Sequence, residues 1–139
     1  MGAATKRISL RNQQGQAATE FALVLPILAL LLFGIIQLGV VFNHYVTVTD
    51  AARAGARKAA VGRLVLQGGG DPAGQAEAQV RASASDLDQG ALQVAVNPLG
   101  AWAQGSDVRV SASYPYQVSL LGIVVSSGNL TATTQERVE

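Results

Sequence analysis

Residues 21–42 have the sequence FALVLPILALLLFGIIQLGVVF, a stretch of twenty-two residues without a charged side chain. At about 1.5 Å of rise per residue, a helix of this length extends roughly 33 Å, enough to cross a hydrocarbon core of about 30 Å. Gln37 is the only strongly polar residue in the stretch, and Pro26 lies inside it. Membrane helices tolerate an internal proline better than soluble helices do. The stretch therefore predicts a single membrane-spanning helix.

The flanks of this stretch predict its orientation. Lys6, Arg7 and Arg11 precede it, and residues 1–15 contain no acidic side chain. Positively charged flanks stay on the cytoplasmic side, so we expect the N-terminus inside and the C-terminal part outside. The apolar run is longer than the 7–15 residues usual for a cleaved secretory signal. No small-x-small site follows it, which favours a helix that is retained.

Composition changes divide the chain into three segments. Residues 1–15 are polar and basic and predict a cytoplasmic leader. Residues 16–62 predict one long helix whose transmembrane part is 21–42, with Gly62 as its stop. Residues 63–139 predict a small extracytoplasmic domain, long enough for a modest core.

Small side chains recur along the outer part of the predicted long helix. Their spacing of four residues produces two adjacent rows, one of Ala51, Gly55 and Ala59 and one that includes Ala52 and Ala56. Such rows form a smooth helix face that another backbone can approach closely. The face could pack on the domain's own sheet or on a neighbouring subunit, and the sequence leaves both possibilities open.

The outer domain combines a helical and a strand pattern. Asp71-Pro72 is typical of an N-cap followed by a first-turn proline, which predicts a helix over about 72–87. After Gly90 the apolar residues alternate with period two, most clearly over residues 108–118. Pro115 predicts an edge or a bulge within that strand. We therefore predict an α+β fold: a long helix, one further helix and an antiparallel sheet of about three to four strands.

The residue inventory argues against several classes of function. The chain has no cysteine and a single histidine, His44, with no acids clustered around it in sequence. Gly68–Gly70 lacks the lysine and threonine of a phosphate-binding loop. We expect no metal, no cofactor and no nucleic-acid partner. An enzyme is disfavoured for the same reasons.

Two motifs carry a resemblance to a known family. The segment QGQAATEFALVLP at residues 14–26 resembles the processed start of TadE-like minor pilins, which belong to the tight-adherence branch of type IV pilus systems. The segment TDAARAGAR at residues 49–57 is similar to the Ala-Ala-Arg-x-Gly-Ala-Arg signature of the same family. The motifs cover residues 14–57, and the rest of the chain matches in architecture only.

The resemblance implies a set of roles and partners. Gly15 is the last leader residue and Gln16 the first mature one, cut by a prepilin peptidase. Glu20 is the fifth mature residue and, with the adjoining Phe21, belongs to the charge pairing and assembly of packed pilin helices. The other implied partners are pilin subunits, the assembly platform and the lipid of the inner membrane. The outer domain makes the chain longer than a major pilin of this branch, which implies a minor pilin or pseudopilin that enters an extracellular pilus or its base.

Alternatives remain at the level of sequence. The chain could be an uncleaved, single-pass signal-anchored envelope protein whose outer domain binds a partner or ligand. Glu20 could cap the first turn or reach toward the headgroups, because the helix dipole favours an anion near the N-terminus. Gln37 could bridge helices by hydrogen bonding or be a tolerated polar residue.

Overall fold

The computed structural model describes residues 10–139, with side chains from Gly15 onward; most of the predicted leader, residues 1–9, lies outside the described residues. The elements in chain order are α1 (Leu10–Ala60), α2 (Gly62–Gln67), α3 (Pro72–Ser83), β1 (Gln93–Pro98), β2 (Asp107–Leu120) and β3 (Ile123–Arg137). The predicted α+β class is confirmed. The sheet has three antiparallel strands, and two helices follow α1 rather than one.

Helix α1 is continuous through Pro26 and ends at Ala60. It begins at Leu10, six residues before the predicted start at Gln16, and the glutamines and arginine of this stretch are good helix formers. The chain forms two compact units, of which the second is Gln37–Glu139. The described part of the first unit, residues 10–36, is helical throughout.

Helix α3 begins as predicted and ends earlier than predicted. The side chain of Asp71 accepts a hydrogen bond from the N–H of Ala73 at 3.0 Å, and Pro72 occupies the first turn. The helix ends at Ser83, although the apolar spacing that predicted it continues to Leu87. Ala84 and Leu87 are buried in the following turn, where the Gln89 amide donates to both of their carbonyls. The apolar spacing therefore continues past the end of the helix because these two side chains are buried in the core, not because they are helical.

The sheet has the order β1-β2-β3. Strand β1 pairs with β2 only as far as Ser113, whereas the β2–β3 pairing continues to Leu120 and Ile123. Pro115 lies just beyond the reach of β1, so its missing N–H breaks no pairing with that strand. The predicted edge at Pro115 is thus present, and the β-bulge lies farther along, between Val118 and Ser119.

The core of the second unit is built mainly from alanine and valine, with two leucines. Fourteen residues form it: Val48, Ala51, Ala52, Ala56 and Ala59 of α1; Ala76 and Val80 of α3; Ala84, Leu87 and Leu92 of the connection; Val108, Val110 and Ala112 of β2; and Val138. Alternate residues of β2 face this core, as the period of two requires. The outer end of α1 is therefore an integral part of the small domain.

Candidate functional site

The residues around the predicted processing site lie in one exposed helical segment. Gly15, Gln16, Glu20 and Phe21 are all exposed. The side-chain amide of Gln16 donates to the Glu20 carboxylate at 3.0 Å, and the Thr19 hydroxyl donates to the Gly15 carbonyl at 2.9 Å. Gln16 and Glu20 thus share one face of α1, four residues apart. A Cβ atom at Gly15 would have no neighbour within 4 Å, so packing does not require glycine there.

The apolar part of α1 is exposed to its surroundings. Phe21, Leu23, Ile27 and Leu31 are each more than half exposed. One helix among the described residues is long and apolar enough to cross a membrane, by length and composition. Apolar side chains exposed along a helix of this length find a favourable environment in lipid. The helix therefore indicates single-pass membrane anchoring.

The small residues predicted to pack together lie in the interior of the second unit. Ala51, Ala52, Ala56 and Ala59 have no exposed surface, and Gly55 is also buried. A Cβ at Gly55 would collide with the Val80 side chain and come within 3.2 Å of the Ala76 carbonyl oxygen. The small-residue face of α1 therefore packs within its own domain, where glycine permits close approach of α3.

Gln37 binds the backbone of one residue in the sheet. Its side-chain oxygen accepts a hydrogen bond from the Ser119 N–H at 2.8 Å, and its side-chain nitrogen donates to the Ser119 carbonyl. This edge of β2 lies beyond the end of β1, so Gln37 supplies both hydrogen bonds that a neighbouring strand would have supplied. The sequence left open a bridge between helices or a tolerated polar residue, and the observed partner is neither: within this chain Gln37 bonds the backbone of a strand.

The hairpin ends two residues beyond Ser119 in an apolar turn. Leu121 and Gly122 connect β2 to β3, and both have positive φ angles, 52° and 84°, as in a type I′ turn. Asparagine or glycine is usual at the first of these positions, and a bulky residue there costs about 1–2 kcal/mol of backbone strain. Leu121 is nevertheless 80% exposed, and Ile123 is 72% exposed.

Aromatic and apolar contacts link α1 to the middle of the hairpin. The rings of His44 and Tyr114 meet edge to face, with centroids 5.3 Å apart and an interplanar angle of 78°. Beside them Val41, Phe42, Tyr45 and Leu130 line an open apolar groove of about 270 Å³. His44 therefore has a packing role here.

Catalytic constellations are not found in the part of the chain that the structure describes. Within residues 10–139, no three residues of histidine, cysteine or acidic type are grouped so that they could hold a metal ion. The described ion pairs, Arg53–Asp50, Arg81–Glu77 and Arg137–Asp107, are partly or largely exposed and join neighbouring turns or strands. Exposed pairs of this kind contribute little to stability.

Sequence reasoning missed the hairpin end as a candidate site. The Gln37–Ser119 contact joins residues 82 positions apart, and no local spacing predicts it. One signal was available: residues 110–135 contain no charged side chain, so the chain has a second long uncharged run. That run coincides with most of the β2–β3 hairpin.

Comparison with known proteins finds a family model that matches a segment of α1. The family model described as TadE-like protein matches residues 15–57, which confirms the resemblance over this segment. The match begins at Gly15 and ends at Arg57, within α1. No curated protein and no solved structure matches the chain.

The match and the helix together define a broad class. A TadE-like segment indicates a protein associated with the Tad pilus, and this family is structural rather than catalytic. The single apolar helix indicates a membrane anchor, so pilus components and the membrane are the indicated surroundings of the chain.

Proposed function

We propose that this chain is a minor pilin or pseudopilin that takes part in the assembly of a tight-adherence type IV pilus. The family match over residues 15–57 is the observation that supports this most strongly, because it begins at the glycine of the proposed cleavage site. Adhesion, biofilm formation or a related secretion process is then the wider setting. The inner membrane holds the chain before assembly, with residues 1–15 in the cytoplasm and the outer domain on the other side.

Processing is proposed between Gly15 and Gln16 by a prepilin peptidase. The bond lies in an exposed stretch of α1, and a protease must open that helical turn to reach it. Glycine lowers helix stability by about 1 kcal/mol relative to alanine, so it eases this opening. The free space around Gly15 is consistent with a role in processing, since no neighbouring atom requires the absence of a side chain.

Cleavage prepares Glu20 for assembly in this proposal. It creates an α-amino group at Gln16, on the helix face that carries the Glu20 carboxylate. In a bundle of pilin helices, the amine of one subunit pairs with Glu20 of its neighbour, which offsets the cost of placing either charge near lipid. In the single chain the Gln16 side-chain amide donates a hydrogen bond to the Glu20 carboxylate. In the bundle, the amine of the neighbouring subunit either replaces this hydrogen bond or is a second donor to the same carboxylate.

Complementation in the native host tests the proposal. A strain that lacks this chain should lose surface Tad pili and adhesion, and the wild-type chain should restore both. A Gly15→Leu variant should insert into the membrane at the wild-type level, keep its leader and fail to restore pili. Normal piliation of the deletion strain, or full rescue by an unprocessed chain, would contradict the proposed function.

A further inference from the structure

The end of the β2–β3 hairpin is an exposed apolar surface. It comprises Leu121, Ile123, Val124 and Val125, which are between 49% and 80% exposed. Four large apolar side chains within five consecutive residues form a continuous exposed patch of a kind that marks an interaction surface. We call this set the hairpin tip.

Gln37 fixes the depth of the hairpin tip. The two hydrogen bonds to Ser119 hold the hairpin against α1 at Gln37, and the tip begins two residues farther along the chain, in the turn. Gln37 lies five residues inside the outer end of the apolar run at Phe42, a distance of about 7.5 Å along the helix. The tip therefore reaches a level at which α1 is surrounded by lipid once the helix spans a membrane.

The charge pattern of the hairpin fits the same surroundings. Residues 110–135 carry no charge, although β3 is an edge strand. Edge strands in water are usually protected by charged residues, and lysine is the commonest choice. A hairpin whose end lies at the membrane surface does not need such charges there, because the membrane shields that end from competing strands.

The turn conformation is a separate observation in favour of an external contact. Leu121 has a φ of 52°, a conformation that bulky residues rarely adopt and that asparagine or glycine adopts readily. It is also the most exposed of the large apolar residues described. The fold gains no burial from this leucine, so its place in a strained turn is explained by a contact outside the chain.

We propose that the hairpin tip inserts into the outer leaflet of the bilayer that α1 spans, as a second and shallow membrane contact. The open outer edge of β3 sets a limit to the depth, because unpaired backbone groups are not tolerated deep in hydrocarbon. On the other side of the hairpin, at the edge of β2, Gln37 satisfies both the N–H and the carbonyl of Ser119. The contact needs only the membrane anchor and is independent of the proposed pilus role.

The absence of cysteine allows a direct test on the full chain. Single variants Leu121→Cys and Ile123→Cys are labelled with a nitroxide and reconstituted in vesicles of phosphatidylethanolamine and phosphatidylglycerol. Power saturation with oxygen and with a water-soluble nickel chelate then gives the depth of each label. We expect both labels about 5–10 Å below the headgroup boundary, the range of interfacial anchors.

Two further variants serve as controls. Asn129→Cys lies at an exposed position in the uncharged part of β3, about 20 Å from Ile123 at 3.3 Å per residue, and its label should be accessible to the nickel chelate. In the Leu121→Asn variant, asparagine adopts the turn conformation readily and the apolar side chain is removed, so the domain should stay folded. The Ile123→Cys label in this background should lie closer to water.

The proposal is overturned if the labels at Leu121 and Ile123 are as accessible to the nickel chelate as the label at Asn129. It is also overturned if they show strong spin–spin broadening with no contact to lipid, because the tip would then be covered by a second copy of the chain. An unchanged depth of the Ile123→Cys label in the Leu121→Asn background would contradict the role given to Leu121.

Discussion

The side-chain amide of Gln37 bonds Ser119 in the way that a neighbouring β-strand would. Its oxygen accepts a hydrogen bond from the Ser119 N–H at 2.8 Å, and its nitrogen donates to the Ser119 carbonyl. Ser119 adjoins the register shift at which Val125 of β3 has no partner in β2, so α1 bonds the hairpin at the point where its ladder is irregular. A polar residue within the apolar run thus has a structural function, and it joins the membrane-spanning helix to the outer domain.

The first prediction concerns this contact. Gln37→Leu keeps the helix apolar and leaves two backbone groups of Ser119 unsatisfied, at a cost of about 1–3 kcal/mol. We expect hydrogen exchange of the Ser119 amide to become roughly ten- to a hundredfold faster, since each 1.4 kcal/mol is a factor of about ten. Exchange in the hairpin of detergent-solubilised protein, followed by mass spectrometry, measures this.

A matched control for Gln37→Leu is Gln67→Leu. Gln67 is exposed at the end of α2 and makes no side-chain hydrogen bond among those described. Its substitution should leave exchange in the hairpin unchanged. Equal exchange at Ser119 in the Gln37→Leu variant and the wild type would show that the contact does not hold the hairpin.

The second prediction concerns Gly55. A Cβ there would meet the side chains of Val80 and Val110, so Gly55→Ala forces α3 or the sheet to move, at a cost of about 1–3 kcal/mol. Urea unfolding of the outer domain, followed through the fluorescence of Trp102, should show a lower midpoint with a similar slope.

Gly39→Ala is the corresponding control on the same helix. A Cβ at Gly39 has no neighbour within 4 Å, and the change favours the helix by about 1 kcal/mol in intrinsic propensity. It should therefore leave the midpoint of the outer domain unchanged. If Gly55→Ala were as well tolerated as Gly39→Ala, close packing at the small-residue face would not be required.

The third prediction concerns Glu20. Glu20→Gln removes the charge and keeps the shape of the side chain, so it should insert normally and lose the pairing with the amine of a neighbouring subunit. A hydrogen bond to a charged group contributes about 1.5–3 kcal/mol, so incorporation into pili should fall by about tenfold or more. Quantitative immunoblots of sheared pili and of membranes measure the two pools.

Asp50→Asn provides the control for Glu20→Gln on the same helix. Asp50 pairs with Arg53 at 3.3 Å in an exposed position, where an ion pair contributes little. Its substitution should leave incorporation near the wild-type level. Normal incorporation of the Glu20→Gln chain would rule out the proposed charge pairing.

Local patterns were sufficient to predict much of this fold. The uncharged run of residues 21–42 predicted the apolar helix because length and composition alone decide whether a helix can span lipid. The Asp71-Pro72 cap predicted the start of α3 because it satisfies local backbone donors. The alternation of β2 predicted a strand with one buried face because side-chain direction has a period of two.

Long-range and unusual features could not be predicted in the same way. The hairpin turn could not be predicted from local sequence, because Leu121-Gly122 lacks the Asn-Gly signal of a two-residue hairpin loop. The partner of Gln37 is distant in sequence and depends on the register of that hairpin. The surface against which the small residues of α1 pack also depends on the tertiary fold. Small side chains would allow close packing either on a neighbouring subunit or on the chain's own domain.

The measurement that tests the central claim most directly is the intact mass of the chain recovered from the membranes and sheared pili of its native host. The account predicts a mature protein that begins at Gln16, with Glu20 as its fifth residue and without residues 1–15. A chain that retains residues 1–15 in both fractions would contradict processing, and with it the proposed entry of the helix into a pilus.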